Sequence, residues 1–566
     1  MQRNEILTTG AVEELIANGH ILVIFEDYVL KLDAWIDKHP GGRLAILHMV
    51  GRDATDEIKA SHKEKQWKTM KAFRIGQKPP GIWINRTPPI RGGVFLKDDD
   101  ENPLTPVDSI DSSEESSLGD SIGDMSEVSL PTSLSSVGSD MGDEVQKVES
   151  EPTWKDMPGA KTRQSSKVFV GNPSAYTAWA EQQDIARDTV SYPPVDPATQ
   201  HSIALKYKAL AERVQAEGYY TCRYTEYAKE AARYTLLFTL SMIALSQSWY
   251  LTSAFFLGLF WHQVMFTAHD AGHRAITGNF EVDSLIGIFI GDFLCGLSIG
   301  WWKRSHNVHH LVTNHPEHDP DIQNVPLFAT TPSFFRGIRS TYYDFNFPWD
   351  KAAEILVPFQ KYTYYPIMGI ARFNLYLLSW LHVLSDKSSD IGGSTAWWIR
   401  WAEIAGMSCY WYIFGYLLLW KTLPTWGTRV AFVLVSHVVT MPLHVQITLS
   451  HWGMSTSDLG EDESFAQRQL RTTMDVDCPV WLDWIHGGLQ FQAVHHLFPR
   501  VPRHNLRKLQ GLVMEFCEDT GIPYTLLGFE DGNRHVLGRL DQVGEQVKHL
   551  VNCQKYMAEN GVKDLH

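Results

Sequence analysis

From Tyr234 to His269 the chain carries no Asp, Glu, Lys or Arg, a run of 36 residues. One bilayer crossing takes about 20 apolar residues, so the run is close to long enough for two. Further apolar stretches cover Ile404–Trp420 and Val430–Leu449. Lipid cannot satisfy backbone polar groups, so such runs are read as helices. About four transmembrane helices are therefore predicted. Trp and Tyr gather near the ends of these runs, as interfacial anchors do. Two more apolar stretches each hold a charge: Ser284–Trp302 contains Asp292 and Tyr362–Ser385 contains Arg372. A mid-span charge costs about 2.5–3.5 kcal/mol on insertion scales, so both are expected not to cross.

The rest of the chain has other periods. Ile21–Leu32 alternates apolar and polar positions around Glu26-Asp27, a strand and turn signal. Between Val195 and Arg233, Leu205, Leu210, Val214, Tyr224 and Tyr227 stand among charges. This predicts amphipathic helices, either lying on the membrane or packed conventionally. Asp98–Glu151 holds sixteen acids and one base, Lys147. It cannot bury enough apolar surface to offset its ordering entropy and is expected to be a disordered linker. The predicted organisation is 1–80 a small α+β domain, 81–165 the acidic linker, 166–232 an amphipathic pre-membrane segment, 233–530 an all-α polytopic membrane domain, and 531–566 a cytosolic C-terminal helix. Met1–Gly10 is polar and no apolar core follows, so no signal peptide is expected and the N-terminus should be cytosolic. The six cysteines form no C-x-x-C pair, as expected of reduced thiols facing the cytosol. Lys563-Asp564-Leu565-His566 faintly matches a retrieval tail, which a lumenal receptor could not read on a cytosolic terminus. No nucleic-acid partner is expected.

Three clusters carry the candidate chemistry: His269-Asp270-Ala271-Gly272-His273, His306-Asn307-Val308-His309-His310 and Gln492-Ala493-Val494-His495-His496. Helical residues at i, i+3 and i+4 share one face. Each cluster thus points its imidazoles one way, and converging faces would form a metal cage suited to iron, copper, zinc or nickel. A zinc hydrolase is disfavoured because the His-Glu-x-x-His pair is missing: residue 270 is Asp. Two crossings between the second and third clusters would bring all three to one side.

Near the N-terminus stands Asp37-Lys38-His39-Pro40-Gly41-Gly42. Proline fixes the backbone after His39, and the glycines allow close approach to a flat ligand. With Asp53-Ala54-Thr55-Asp56 and Phe73-Arg74-Ile75-Gly76, this stretch resembles cytochrome b5. The resemblance implies that His39 and His62 clamp the iron of haem b, with Pro40, Gly41 and Gly42 shaping the loop. His48 is expected to pack or face solvent. Two axial nitrogens leave no open position, so such a haem passes electrons. The acidic patch Asp53, Asp56 and Glu57 is expected to face a basic surface of a reductase or of the membrane domain.

With that domain attached, the three clusters resemble the membrane fatty-acyl and sphingolipid desaturases, specifically the front-end group fused to cytochrome b5. Gln492, in place of a first histidine, is that group's mark. Thr313-Asn314 and Glu317-His318-Asp319-Pro320-Asp321-Ile322 look most like the Δ8 sphingolipid desaturases, and the acidic insert looks fungal. The resemblance implies two non-haem iron ions held by His269, His273, His306, His309, His310, Gln492, His495 and His496. It also implies a further histidine from the fourth crossing. His444 and His451 both fit; His444 is preferred because His-Val-Gln matches the motif better. His262 and Asp270 would support the ligands. The implied activity is O2-dependent Δ8 desaturation of the long-chain base of a ceramide or free sphingoid base. Electrons would come from NADH-cytochrome b5 reductase through the haem. The implied place is the endoplasmic reticulum membrane, multi-pass, with termini and active site cytosolic. Alternatives are a front-end Δ5/Δ6 fatty acyl desaturase and a b5-fused lipid hydroxylase; Gln492 and the narrow first cluster argue against the hydroxylase.

Overall fold

The alternating stretch near residue 25 forms a hairpin, β1 (Leu22–Phe25) and β2 (Tyr28–Lys31), and β3 (Arg74–Gln77) pairs antiparallel with β2. The computed structural model describes residues 3–93, 173–385 and 396–559. Side chains alternate across a strand, and here both faces are covered. Leu22 and Ile24 join one apolar cluster with Val12 and Ile16 of α1 (Thr9–Ala17). Val23 and Phe25 join another with Ile46 of α2 (Arg43–Leu47). α3 (Thr55–Ser61) and α4 (Glu64–Met70) complete the domain. Order continues past residue 80 into the predicted linker. Trp83 is buried and donates its Nε1–H to Gly51 O at 3.0 Å. Asp98–Glu151, its expected disorder and the Lys563–His566 tail lie outside the described residues.

α5 (Pro173–Ser191) and α6 (Pro197–Ala216) follow, with Asp196 capping α6 by accepting from Ala198 N and Thr199 N. α6 buries Ile203, Tyr207, Leu210 and Val214 in the cluster containing Phe465 and Leu509. Of the two readings of this region, α6 follows the packed one. The charge-free run bends at Ser248 (φ 59°) between α7 (Tyr224–Ser246) and α8 (Tyr250–Gly272). α9 (Phe280–Ile288) runs on to Leu294, and α10 (Ile299–Leu311) leaves it at a bend of 118°. Glu403 stabilises this bend by accepting from Gly300 N at 2.6 Å and Ser298 Oγ at 2.8 Å.

After the short α11 (Lys351–Leu356), α12 covers Gln360–Leu384. α13 (Trp398–Tyr410) continues as a wider coil to Thr422, and α14 (Trp426–Val438) runs into α15 (Met441–Leu449). Three helical stretches are long and apolar enough to cross a bilayer: Tyr250–Gly272, Lys351–Leu384 and Trp426–Leu449. The bent α9–α10 pair makes a fourth if counted as one span. The number expected thus holds, but its membership changes. Tyr362–Ser385, expected to stay out, qualifies. α7 and Ile404–Trp420, expected to cross, are not in this set: α7 begins with Glu226, Lys229, Glu230 and Arg233, and the other run is short and closed at its two ends by Glu403 and Lys421. The arginine that argued against Tyr362–Ser385 never meets lipid. Arg372 is 1% exposed, donating Nη2–H to Cys295 O and Nε–H to Tyr376 OH, both at 2.8 Å.

The remaining helices are α16 (Phe465–Thr472), α17 (Asp483–His486), α18 (Gln492–Leu497), α19 (Arg503–Thr520) and α20 (Phe529–Glu559). Val536, Leu540 and Val543 of α20 share a core with Tyr364 of α12 and Leu449 of α15.

Arg372→Ala strands a buried carbonyl and hydroxyl, at about 1–3 kcal/mol each. Thermal unfolding of the purified protein should move down by several degrees; an unchanged midpoint would mean these bonds contribute nothing.

Candidate functional site

The first cluster closes α8: His269 lies in its last turn and His273 caps it. The second occupies the C-terminal half of α10, and the third fills α18. α18 is only six residues long, so its position depends on tertiary bonds. Ala493 N donates to the buried Asp475 Oδ1 at 2.7 Å. Gly272 allows the close approach of α10, since a Cβ there would overlap the Trp302 ring.

The clusters converge. Donor nitrogens of His269, His273, His306 and His495 all lie within 4.8 Å of one another, as do those of His309, His451 and His496. The His310 ring sits between the groups, its centroid 4.1 Å from that of His496 and 4.8 Å from that of His273. Asp321 approaches the site too, grouping with His306 and His309.

Several rings are fixed through Nδ1. The fully buried Asp319 accepts from His309 Nδ1 at 2.8 Å, and Gln469 Oε1 accepts from His496 Nδ1 at 2.8 Å. Such bonds leave Nε2 as the free donor atom. The Nε2 atoms of His269, His273, His495 and His496 are buried without a hydrogen-bond partner, as is Gln492 Oε1. Buried polar atoms are normally satisfied. Converging orphan nitrogens therefore fit metal ions. Burial holds His451, His495 and His496 well below the usual imidazole range, which keeps them in the neutral, ligating form.

A second site lies in the N-terminal domain. The His39 and His62 rings face each other at 5.9 Å. His39 Nδ1 bonds Gly42 O at 2.9 Å and His62 Nδ1 bonds Ile58 O at 3.0 Å, freeing both Nε2 atoms. Gly41 is required here, because a Cβ would fall 2.8 Å from the His39 ring. Burial lowers both imidazoles below their ordinary range. Between them opens a cavity of about 430 Å³ with apolar walls that include Leu32, Ile46 and Met70. A flat, mostly apolar group with two open axial positions, such as haem, fits this donor set. The same cavity is also walled by His273 and His310.

The two sites are joined by residues next to the clusters. Arg274 Nη2 donates to Ser61 O at 3.2 Å, Asn307 Nδ2 to Gly41 O at 3.1 Å, and Arg500 Nε to Ala60 O at 2.9 Å. Of the acidic patch, Glu57 pairs with Arg468 at 2.9 Å, so this acid faces the membrane domain.

Known proteins match both parts. The fatty acid desaturase pattern covers residues 246–528, and the cytochrome b5-like haem/steroid binding domain covers 9–78. A Delta 8-(E)-sphingolipid desaturase of Emericella nidulans is 50% identical over 100% of this chain and 99% of its own length. The chain belongs to the fatty acid desaturase family. It is an oxidoreductase with a fused cytochrome b5 domain. A Delta 8-(E)-sphingolipid desaturase of Kluyveromyces lactis is 44% identical over 98% of this chain and 95% of its own. A Delta(8)-fatty-acid desaturase of Helianthus annuus is 39% identical over 54% of this chain and 64% of its own.

In this desaturase the lone histidines fall differently from expectation. His451, not the preferred His444, joins a donor group. His444 lies in the first turn of α15, with Nδ1 bonded to Met368 O at 3.0 Å. His451 lies two residues beyond the end of that helix, level with the clusters. That position past a helix end was the usable signal. His262 bonds Gln263 and packs on Phe266, apart from the donor groups. Asp270 does not orient His269: Oδ1 is 3.7 Å from Nδ1, beyond hydrogen-bond length. It instead pairs with Arg503 at 2.8 Å and accepts from Tyr227 OH. His48 packs, as expected, and accepts from Arg91 Nε at 3.3 Å. Asp319 stands out in the sequence only as part of a family motif, with no role attached, and Gln469 not at all, since neither sits at a recognisable ligand spacing.

His451→Ala should lower bound non-haem metal on elemental analysis while His444→Ala retains it; the reverse order would return the role to His444. Asp319→Asn should weaken metal retention about 10–100-fold, as loss of a ligand's supporting bond does, measured by metal content after dialysis against a chelator series.

Proposed function

We propose that this desaturase introduces a Δ8 double bond into the long-chain base of a ceramide or related sphingolipid, using O2 and electrons delivered by its own cytochrome b5 domain. The single cavity that runs from His39 and His62 to His273 and His310 carries this reading. That the His39–His62 pair and two of the clustered histidines line one chamber supports electron delivery within the chain. In the proposed assignment His39 and His62 are the axial ligands of haem b. His269, His273, His306 and His495 hold one iron, and His309, His451 and His496 the other. His310 and Gln492 complete the set. When bound, the irons supply the dioxygen chemistry that no side chain provides.

The chain's own part is positioning. Asp319 and Gln469 hold His309 and His496 with Nε2 toward the site. Burial keeps His495 and His496 unprotonated and water largely out. The fused carrier raises the local concentration of electron donor to about the millimolar range. NADH-cytochrome b5 reductase is the proposed source of those electrons. The proposed setting is the endoplasmic reticulum membrane, with termini and active site on the cytosolic side. The sphingolipid substrate is supported by the Delta 8-(E)-sphingolipid desaturases of Emericella nidulans and Kluyveromyces lactis, which match 100% and 98% of this chain. A fatty-acyl substrate is the second reading, favoured by the Helianthus annuus relative, which matches only 54% of it.

Expression in a host lacking Δ8-unsaturated sphingoid bases should create that double bond in the long-chain base, located by mass spectrometry. New unsaturation confined to fatty acyl groups would overturn the assignment. His39→Ala and His62→Ala should each abolish the b-type haem spectrum of the purified protein and leave the non-haem metal in place; a retained spectrum would exclude the altered residue as an axial ligand.

A further inference from the structure

The cavity between His39 and His62 has two unlike ends. On the cytochrome b5 side its walls are aliphatic and aromatic, with Val23, Leu30, Ile46 and Phe73 among them. On the membrane-domain side it is lined by Arg274, Lys303 and Arg500. Among the described residues none of these three cations has an ion pair. Lys303 Nζ stands 4.8 Å from the Phe280 ring, and the Arg500 guanidinium 4.8 Å from the Tyr220 ring. Arg274 and Arg500 donate to backbone carbonyls, and each guanidinium has five N–H groups, more than those bonds use. The acids nearby are engaged elsewhere. Glu57 is paired with Arg468. Asp283, which acts electrostatically on Arg274 and Lys303, accepts from Thr277 Oγ1 at 2.8 Å and Gly278 N at 2.9 Å.

Haem is asymmetric in the same sense: a broad apolar ring with both carboxylates on one edge. Burying a cation cluster without an anion is costly, and so is placing a carboxylate edge against aliphatic walls. One orientation removes both costs. We infer that the membrane domain completes the haem site, with Arg274, Lys303 and Arg500 receiving the haem carboxylates. The haem is then enclosed by both domains, and its charged edge lies beside His273 and His310, which wall the same chamber. Arg274 directly follows the first histidine cluster and Lys303 lies one turn before the second, so the elements that hold the metal donors also set the haem's electrostatics. Adding an electron to the haem adds negative charge, which neighbouring cations favour. The three side chains therefore raise the midpoint potential of the docked carrier. They act on the haem as positioning and tuning residues.

This inference rests on the haem assignment above, and the test separates the two. The full-length protein, loaded with haem, is titrated by spectroelectrochemistry as wild type, Arg274→Gln, Lys303→Gln, Arg500→Gln and the triple variant. The titrations are repeated on protein reconstituted with the dimethyl ester of haem, which lacks the carboxylate charges. With native haem the triple variant should shift the oxidised-to-reduced equilibrium at least tenfold toward oxidised, about 59 mV for one electron. With the ester the difference between wild type and variant should be clearly smaller, because the cations still favour the added electron but are no longer drawn to the haem edge by its carboxylates. Arg274→Lys should restore most of what Arg274→Gln loses. Lys303→Gln removes no hydrogen bond among the described residues, and gives a reading if the triple variant does not fold. An unshifted potential, or an equal shift with both haems, would overturn the inference. A wild-type protein without a b-type spectrum would instead overturn the haem assignment itself.

Discussion

Eight imidazoles crowd one buried space, and several present nitrogens that nothing in the polypeptide satisfies. That is the constraint the rest of the fold answers. A buried polar atom without a partner costs free energy comparable to a lost hydrogen bond or more. The chain carries this cost at its centre and offsets it with apolar packing elsewhere. The short α18 could not hold His495 and His496 alone. It is held by Asp475 beneath its first turn and by α19, whose Leu506 and Leu509 share its apolar cluster. Burial keeps His451, His495 and His496 neutral, and His309 and His496 are each turned by one bond from the ring's other nitrogen. Metal binding and folding are coupled for the same reason, since ions that satisfy the orphan nitrogens stabilise the arrangement that presents them.

The cytochrome b5 domain is coupled to that centre by adjacency in sequence. Arg274 follows His273, Asn307 follows His306, and Arg500 lies four residues after His496. Asn307 donates to Gly41 O in the His39 loop, and Arg274 and Arg500 donate to Ser61 O and Ala60 O at the end of α3, beside His62. One set of short segments thus presents imidazole nitrogens inward and docking donors outward. A shift of any cluster would move its docking contact as well.

Much of this was legible in the chain because the chemistry is local. His39-Pro40-Gly41-Gly42 and the three clusters are contiguous, and helical spacing fixes which faces their rings share. The parts that were not legible depend on distant partners. His444 and His451 have equal claims by spacing. Only the end of α15 at Leu449 separates a histidine in the helix's first turn from one beyond its last. Arg372 reads as a barrier to crossing until Cys295 O and the Tyr376 hydroxyl are seen around it. The linker was expected to begin at residue 81, but Trp83 closes the cytochrome b5 core through a carbonyl 32 positions earlier in sequence. The Asp319 bond to His309 spans ten residues through an irregular loop, so no period announces it.

The buried arginine also bears on how the protein enters the membrane. Alone in a bilayer, α12 would carry a charged side chain at mid-depth. One of its two acceptors, the Cys295 carbonyl, belongs to the broken segment made some 77 residues earlier. Synthesis therefore supplies the receiving group before the guanidinium emerges. A helix of this kind gains by leaving the translocon together with its predecessor, so biogenesis of this region should proceed by paired release rather than one segment at a time.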